Sequence, residues 1–343
     1  MHFLALVIAS LSCLARVDAL PHGGSPKVQP VVFQGTEMKH LLAFGDSYTY
    51  VQGTQGRWNY SFISDAFNYS YTPAQLFSDK IVKNTTSSGG PNWVEYLTGC
   101  YEGLPVECPG TKLWDFAFAG SDISMEYLPL HHNYTVPLVD QVKQWDRYAR
   151  QPLNLTSKDT LVAFWIGIND INDSAKFTNV SFPAWYDTLV GAYFQSVELV
   201  YQRGYKNFLF MLLPPLEKTS SNLASSNPQP NTTQVAQFNA AIRFHASAFQ
   251  KQHSDANALV FDTYTVLNGV LENATAYGIT NTTSYCRAYD QPDILWNHAA
   301  YGCQPIAQYF WLNSGHITFT AHAALAAALR RELAAAAAAV AVA

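Results

Sequence analysis

Charge is scarce in this chain. Asp, Glu, Lys and Arg together make up 13% of its 343 residues, and no stretch concentrates Lys and Arg. With a formal net charge of −5, it offers no electrostatic footprint for nucleic acid or for an anionic membrane surface. Long apolar runs are missing too. Inside the chain nothing approaches the roughly 20 consecutive apolar residues that span a bilayer, which excludes stable membrane insertion. Neither HExxH, nor CxxC, nor a Gly-rich phosphate loop occurs, so the sequence asks for no metal and no organic cofactor.

What is present is largely apolar. Hydrophobic residues make up 48% and aromatic residues 14%, enough to bury a substantial core. One short apolar run, residues 3–15, sits at the very N-terminus. Val17-Asp18-Ala19 follows it with small residues at cleavage-site spacing, so residues 1–19 read as a secretory signal peptide, although His2 stands where Lys or Arg is usual. Cys13 falls in that segment and leaves an even set, Cys100, Cys108, Cys286 and Cys303. Four cysteines allow three pairings, and closeness in sequence favours Cys100–Cys108 and Cys286–Cys303. Disulfides belong to an oxidising compartment. Asn-x-Ser/Thr acceptors occur at Asn59, Asn68, Asn84, Asn133, Asn154, Asn172, Asn179, Asn231, Asn273 and Asn281, a density that indicates a surface shaped by glycosylation. These features together describe a secreted, extracellular glycoprotein.

After a Pro- and Gly-containing leader over residues 20–35, expected to be irregular, strand-like runs alternate with helical patterns. The runs are residues 40–44 (HLLAF), 113–118 (LWDFAF), 160–168 (TLVAFWIGI), 207–213 (NFLFMLL) and 258–261 (ALVF). Short, nearly continuous apolar stretches fit strands of a parallel sheet covered on both faces. Helical spacing joins Leu138, Val142 and Trp145, then Trp185, Leu189, Tyr193 and Val197, then Val235, Phe238, Ile242 and Phe249. Residues 321–333 form a helix by composition. The alternation predicts an α/β sandwich with its ligand site at the carboxyl ends of the strands. No repeat or linker divides residues 20–343, which read as a single domain. An insertion over residues 51–90, rich in Gly, Ser, Thr, Asn and Tyr, is expected to run over the surface after the first strand.

The strand ends carry chemistry-bearing residues. Phe44-Gly45-Asp46-Ser47-Tyr48 closes the first run, and a tight turn opening a helix there would expose the Ser47 hydroxyl and aim backbone N–H groups at a reacting carbonyl. Taken alone, a Gly-Asp-Ser triplet is an ordinary turn. Gly120 follows the second run, where a backbone N–H without a neighbouring Cβ can approach an oxyanion closely. Asn169, in Gly167-Ile168-Asn169-Asp170, places a neutral amide donor at the end of the third. His316, in Asn313-Ser314-Gly315-His316, is a candidate general base if the final helix packs beside the first strand. His22, His131, His132, His253 and His298 read as structural or merely exposed, and His322 as a helix residue.

In this order and spacing the motifs resemble the GDSL or SGNH hydrolases, whose signature Ser, Gly, Asn and His stand here as Ser47, Gly120, Asn169 and His316. The resemblance runs over essentially the whole mature chain and is nearest to fungal proteins similar to carbohydrate esterase family 16 acetylesterases. It implies a flavodoxin-like three-layer α/β/α sandwich with a central parallel sheet. It also implies Ser47 as nucleophile, with an oxyanion hole formed by the Ser47 amide, Gly120 and Asn169. The Gly-x-Ser-x-Gly elbow of α/β-hydrolases is absent, which disfavours that fold. One position departs from the family pattern: an Asp is common three residues before the histidine, and here stands Asn313. A carboxylate orients the imidazole and stabilises the imidazolium formed during attack. An amide oxygen can accept Nδ1–H but brings no charge. Orientation of His316 by the Asn313 side chain, orientation by a backbone carbonyl, and weak or lost activity are therefore three distinct outcomes.

The implied protein is a secreted serine esterase that works through an acyl-enzyme, without cofactor, on small-molecule or oligosaccharide esters, foremost acetyl groups of plant cell-wall sugars. A lipase or lysophospholipase on the same scaffold is the runner-up. A non-catalytic carbohydrate-binding glycoprotein is a third reading, supported by Asn313 alone. Asp170 and Asp173 offer a pair of neighbouring acids of the kind glycosidases use. Trp58 and Trp93 are candidates for stacking on sugar, with burial in the core the equal alternative.

Overall fold

The computed structural model describes residues 29–63 and 70–340, with side chains to residue 336. The expected signal peptide, Cys13, His22 and the acceptor Asn68 lie outside the described residues.

Part of the leader and the residues after it is ordered rather than irregular. β1 (Val31–Phe33) and β2 (Thr36–Met38) form an antiparallel hairpin, closed by Gln34 and Gly35 at φ 50° and 71°. Val31, Phe33 and Met38 are buried in the main core, and the C-terminal helix packs on β1. Strands of three residues are too short to display a period, which is why the sequence shows no sign of them.

The five long runs become β3 (His40–Gly45), β4 (Lys112–Asp115), β5 (Thr160–Trp165), β6 (Asn207–Met211) and β7 (Asn257–Phe261). They form one parallel sheet in the order β4-β3-β5-β6-β7. Every residue of β5 and β6 is buried, which explains why both are apolar after their first residues, Thr160 and Asn207, whereas the edge strand β7 is only half covered. Burying one such Leu, Val or Phe side chain contributes about 1.5–3 kcal/mol. β4 stops short of its apolar run because the Asp115 carboxylate takes the N–H groups of Val51 (3.1 Å) and Ala117 (2.8 Å), turning the chain out of the ladder. β5 ends at Trp165 because Gly167, at φ 111°, opens the short helix Ile168–Ser174.

Helices cover both faces. Trp93–Thr98 and Thr263–Glu272 pack against Phe319–Val340 on one side, and Leu138–Gln144 and Thr232–Gln252 pack against Phe182–Gln202 on the other. The result is the expected α/β/α sandwich. The winding reverses between β3 and β5, and at such a reversal a crevice opens beyond the carboxyl ends of the strands.

The insertion over residues 51–90 is not a surface excursion throughout. Val51, Gln52, Gly53, Ser61, Phe62 and Ile63 are buried, and single bridges join Gly53 to Ile81 and Ser61 to Phe118. Disulfides join Cys100 to Cys108 and Cys286 to Cys303, the pairs favoured by sequence proximity. Among the described residues no helix is long and apolar enough to cross a membrane.

Candidate active site

Ser47 sits just past β3, where two backbones meet. Gly45 pairs with Trp165, and a Cβ at Gly45 would lie 2.3 Å from the Trp165 carbonyl oxygen, so the position admits only glycine. The Gln141 amide clamps it: Oε1 accepts Gly45 N–H at 3.1 Å, while Nε2 donates to Gly45 O at 2.8 Å and to Ser121 Oγ at 2.9 Å. Nothing in the sequence marks a glutamine inside an amphipathic helix for this role.

After Ser47 the chain makes a turn and not the expected helix. Asp46 organises it, its Oδ1 accepting Tyr48 N–H at 2.9 Å and its carbonyl accepting Thr49 and Tyr50 N–H at 3.0 Å. A helix cannot continue because Asn92 Nδ2 donates to the carbonyls of Thr49 (2.7 Å) and Tyr50 (2.9 Å), and Val51 N–H is held by Asp115. Burial pushes the Asp46 carboxyl up to about 8, so it holds its proton at neutral pH.

His316 is carried on a hairpin at the C-terminal end of the fold. Trp311 and Ile317 form an antiparallel bridge, and Leu312 N–H donates to His316 O at 2.8 Å. His316 Nε2 lies 2.8 Å from Ser47 Oγ, across 269 positions of sequence. Nδ1 lies 3.0 Å from Asn313 Oδ1. That oxygen also accepts the backbone N–H of Gly315 at 3.0 Å and of His316 at 2.9 Å. Two backbone donors can face only an oxygen, so the amide orientation is fixed and Nδ1 must be the protonated nitrogen. Nε2 therefore presents its lone pair to the serine. Although His316 is only partly buried, desolvation pushes it below the usual histidine range, to about 4, which keeps it neutral.

The other signature positions converge on the same strand ends. Gly120 adopts φ 82°, and its N–H has no protein acceptor among the described residues. The same holds for Ser47 N–H. Asn169 lies in the first turn after β5, and its Nδ2 donates one hydrogen to Ser121 O at 2.8 Å, the other having no protein acceptor among the described residues. Unpaired donors at strand ends suit a developing anion.

Tyr48 and His322 belong to this neighbourhood as well. Tyr48 donates its hydroxyl to Gly315 O and packs its ring 5.4 Å from His316, 5.2 Å from Trp165 and 5.9 Å from His322. His322 is in the final helix, as expected, yet it is also buried beside the site and pushed down to about 3 by burial and then by His316. Trp93 is fully buried core, its Nε1 donating to Thr49 Oγ1 at 3.2 Å, whereas Trp58 is 64% exposed. The proposed acid pair is not one: Asp170 is 0% exposed and binds Ile123 N–H, and Asp173 pairs with His131 at 2.6 Å.

A family model for GDSL-like lipases/acylhydrolases matches residues 41–329. An acetylesterase of Thermothelomyces thermophilus is 25% identical over 287 residues, covering 81% of this chain and 87% of that protein. An acetylesterase of Hypocrea jecorina is 28% identical over 143 residues, covering 40% of this chain and 36% of that protein. Among solved structures, Axe2, an acetylxylan esterase from Geobacillus stearothermophilus, aligns over 88% of this chain and 96% of its own, with 16% identity and a TM-score of 0.44.

Proposed function

The chain belongs to the GDSL-like lipase/acylhydrolase family and is a carboxylic ester hydrolase, and on that premise we propose that it is a secreted acetylesterase acting on plant cell-wall carbohydrates through Ser47. Ser47 Oγ attacks the ester carbonyl as His316 Nε2 takes its proton. The oxyanion is held by the N–H groups of Ser47 and Gly120 and by the free Asn169 hydrogen. His316 returns the proton to the leaving alcohol, and water then hydrolyses the acyl-enzyme. General-base assistance of this kind contributes about 10²–10⁴ in rate, and each oxyanion donor about 10²–10³.

The observation that carries the reading is the unbroken relay from Ser47 Oγ through Nε2 (2.8 Å) to Nδ1 and Asn313 Oδ1 (3.0 Å). Asn313 acts in it as a neutral positioning residue. The acetyl preference draws support from the named acetylesterase relatives. Secretion, with residues 1–19 removed and residues 20–343 as one domain, draws support from the apolar N-terminal run and the two disulfides.

The test pairs covalent labelling of Ser47 by a fluorophosphonate with acetate release from acetylated xylo-oligosaccharides and from p-nitrophenyl acetate and octanoate. Labelling lost in Ser47→Ala and a preference for acetate are expected. Strong preference for octanoate or phospholipid would overturn the carbohydrate assignment, and absence of labelling would overturn the nucleophile.

A further inference from the structure

Asp122 is 1% exposed, and neither of its carboxylate oxygens has a hydrogen-bond partner among the described residues. A buried polar group without a partner is rare and costly, and it asks for an explanation. Asp122 Oδ2 points at His131 Nε2, 3.9 Å away, and the same nitrogen lies 2.6 Å from Asp173 Oδ2. One ligand atom from each of Asp122, His131 and Asp173 lies within 4.8 Å of the others, about twice a metal–ligand bond of roughly 2.0–2.6 Å. The charge balance points the same way. Among the described residues no Lys or Arg pairs with Asp122 or Asp173, so His131 is the one basic side chain that faces both.

We propose that Asp122, His131 and Asp173 bind a divalent cation of the borderline kind, Zn²⁺ or Mn²⁺, that accepts one imidazole and two carboxylates. The site is separate from the Ser47–His316 pair and does not depend on which ester the protein cleaves. On binding, His131 Nε2 exchanges its hydrogen bond with Asp173 for the metal, and any proton on that nitrogen leaves to solvent.

The three ligands sit on the segments that carry the oxyanion donors. Asp122 is two residues past Gly120, Asp173 is four residues past Asn169, and the His131 ring lies 3.5 Å from where a Gly120 Cβ would be. Those segments are already tied by Asn169 Nδ2 to Ser121 O (2.8 Å) and by Ile123 N–H to the Asp170 carboxylate (3.0 Å). A cation adds a further tie between the two segments that carry the donors.

The full chain, stripped with chelator and dialysed, is titrated with ZnCl₂, MnCl₂ and CaCl₂ while bound metal per chain and Tm are measured. One equivalent of Zn²⁺ or Mn²⁺ is expected, with Tm rising by about 3–5 °C at a hundredfold excess over Kd. Asp122→Asn and His131→Gln should lose both the stoichiometric binding and the shift. Where Asp122→Asn fails to fold, Asp173→Asn, at an exposed position, carries the same comparison. No stoichiometric binding by the parent chain, a response to Ca²⁺ alone, or equal shifts in parent and variants would each overturn the site.

Discussion

Asn313 Oδ1 lies 3.0 Å from His316 Nδ1 and 2.9 Å from the backbone nitrogen of the same residue. One oxygen thus closes the turn and sets the tautomer of the ring the turn presents. The amide supplies everything a carboxylate would at this position except charge.

Asn313→Asp keeps these bonds and adds the charge. In a protease where the reverse change was made, the loss of about 10⁴ came chiefly from the wrong tautomer. Here the tautomer is already right, so kcat/KM toward p-nitrophenyl acetate should rise by no more than about tenfold. The acid limb of the pH profile should move upward, because the new carboxylate stabilises the imidazolium. Asn313→Leu removes the acceptor and should cost on the order of 10³–10⁴, approaching the wrong-tautomer penalty. Steady-state kinetics of both variants checks this.

Asn169→Ala should lower kcat by about 10²–10³ while KM changes little, since a donor to the oxyanion acts only in the transition state. Gly120→Ala separates geometry from bulk. An added Cβ has room, 3.5 Å from His131 Nδ1, but φ 82° is strained for any L side chain, by about 1–2 kcal/mol. A loss of kcat exceeding what the fall in Tm explains is the expected result, read from kinetics and thermal scans on the same preparation.

The sheet was legible in the sequence because β3, β5 and β6 are covered on both faces, and such positions favour nearly continuous apolar runs. The candidate site was legible where residues had to occupy strand ends, as Ser47 and Asn169 do. Gln141 and Tyr48 were not, because their roles come from contacts 96 and 267 positions away in sequence, which no local pattern records. His131 looked bland for the same reason: its partner Asp173 lies 42 positions off. Trp93, open in the sequence to a cleft or a core reading, is core, because aromatic identity does not distinguish core from platform. The turn after Ser47 was misread as a helix because Asn92, which captures its carbonyls, is 43 residues downstream.

Activity and stability should respond oppositely to acid. His316, pushed down to about 4, remains a base well below the usual histidine range, so the acid limb of kcat/KM should fall below 6.5, toward 4. Asp46 and Glu95 are pushed up to about 8 by burial, and Asp115 is raised as well. Between about pH 4 and pH 8 these groups hold protons when folded that the unfolded chain has released, so their contribution to stability is lost as pH rises through about 8. His316 and His322 work the other way, losing stability as pH falls below about 6.5, but the raised carboxyls outnumber them. Tm should therefore be higher near about pH 5.5 than near about pH 8.5, by thermal scans across that range.

The two disulfides should be separable by what their removal does to catalysis. Cys286–Cys303 spans 17 positions and Cys100–Cys108 spans 8, so chain entropy gives about 3 and about 2.5 kcal/mol respectively. Cys286 packs with Ile294, Ile306, Tyr309 and Leu312 in a small satellite core, and Leu312 N–H holds the His316 carbonyl at 2.8 Å. Loosening that core frees the hairpin whose turn aims the imidazole. Cys100–Cys108 instead braces the approach to the edge strand β4, where Lys112 Nζ donates to Cys108 O. Cys286→Ala/Cys303→Ala should thus lower both the denaturant midpoint and kcat, whereas Cys100→Ala/Cys108→Ala should lower the midpoint alone. Equal kcat losses in the two double variants would show that the satellite core does not hold the base.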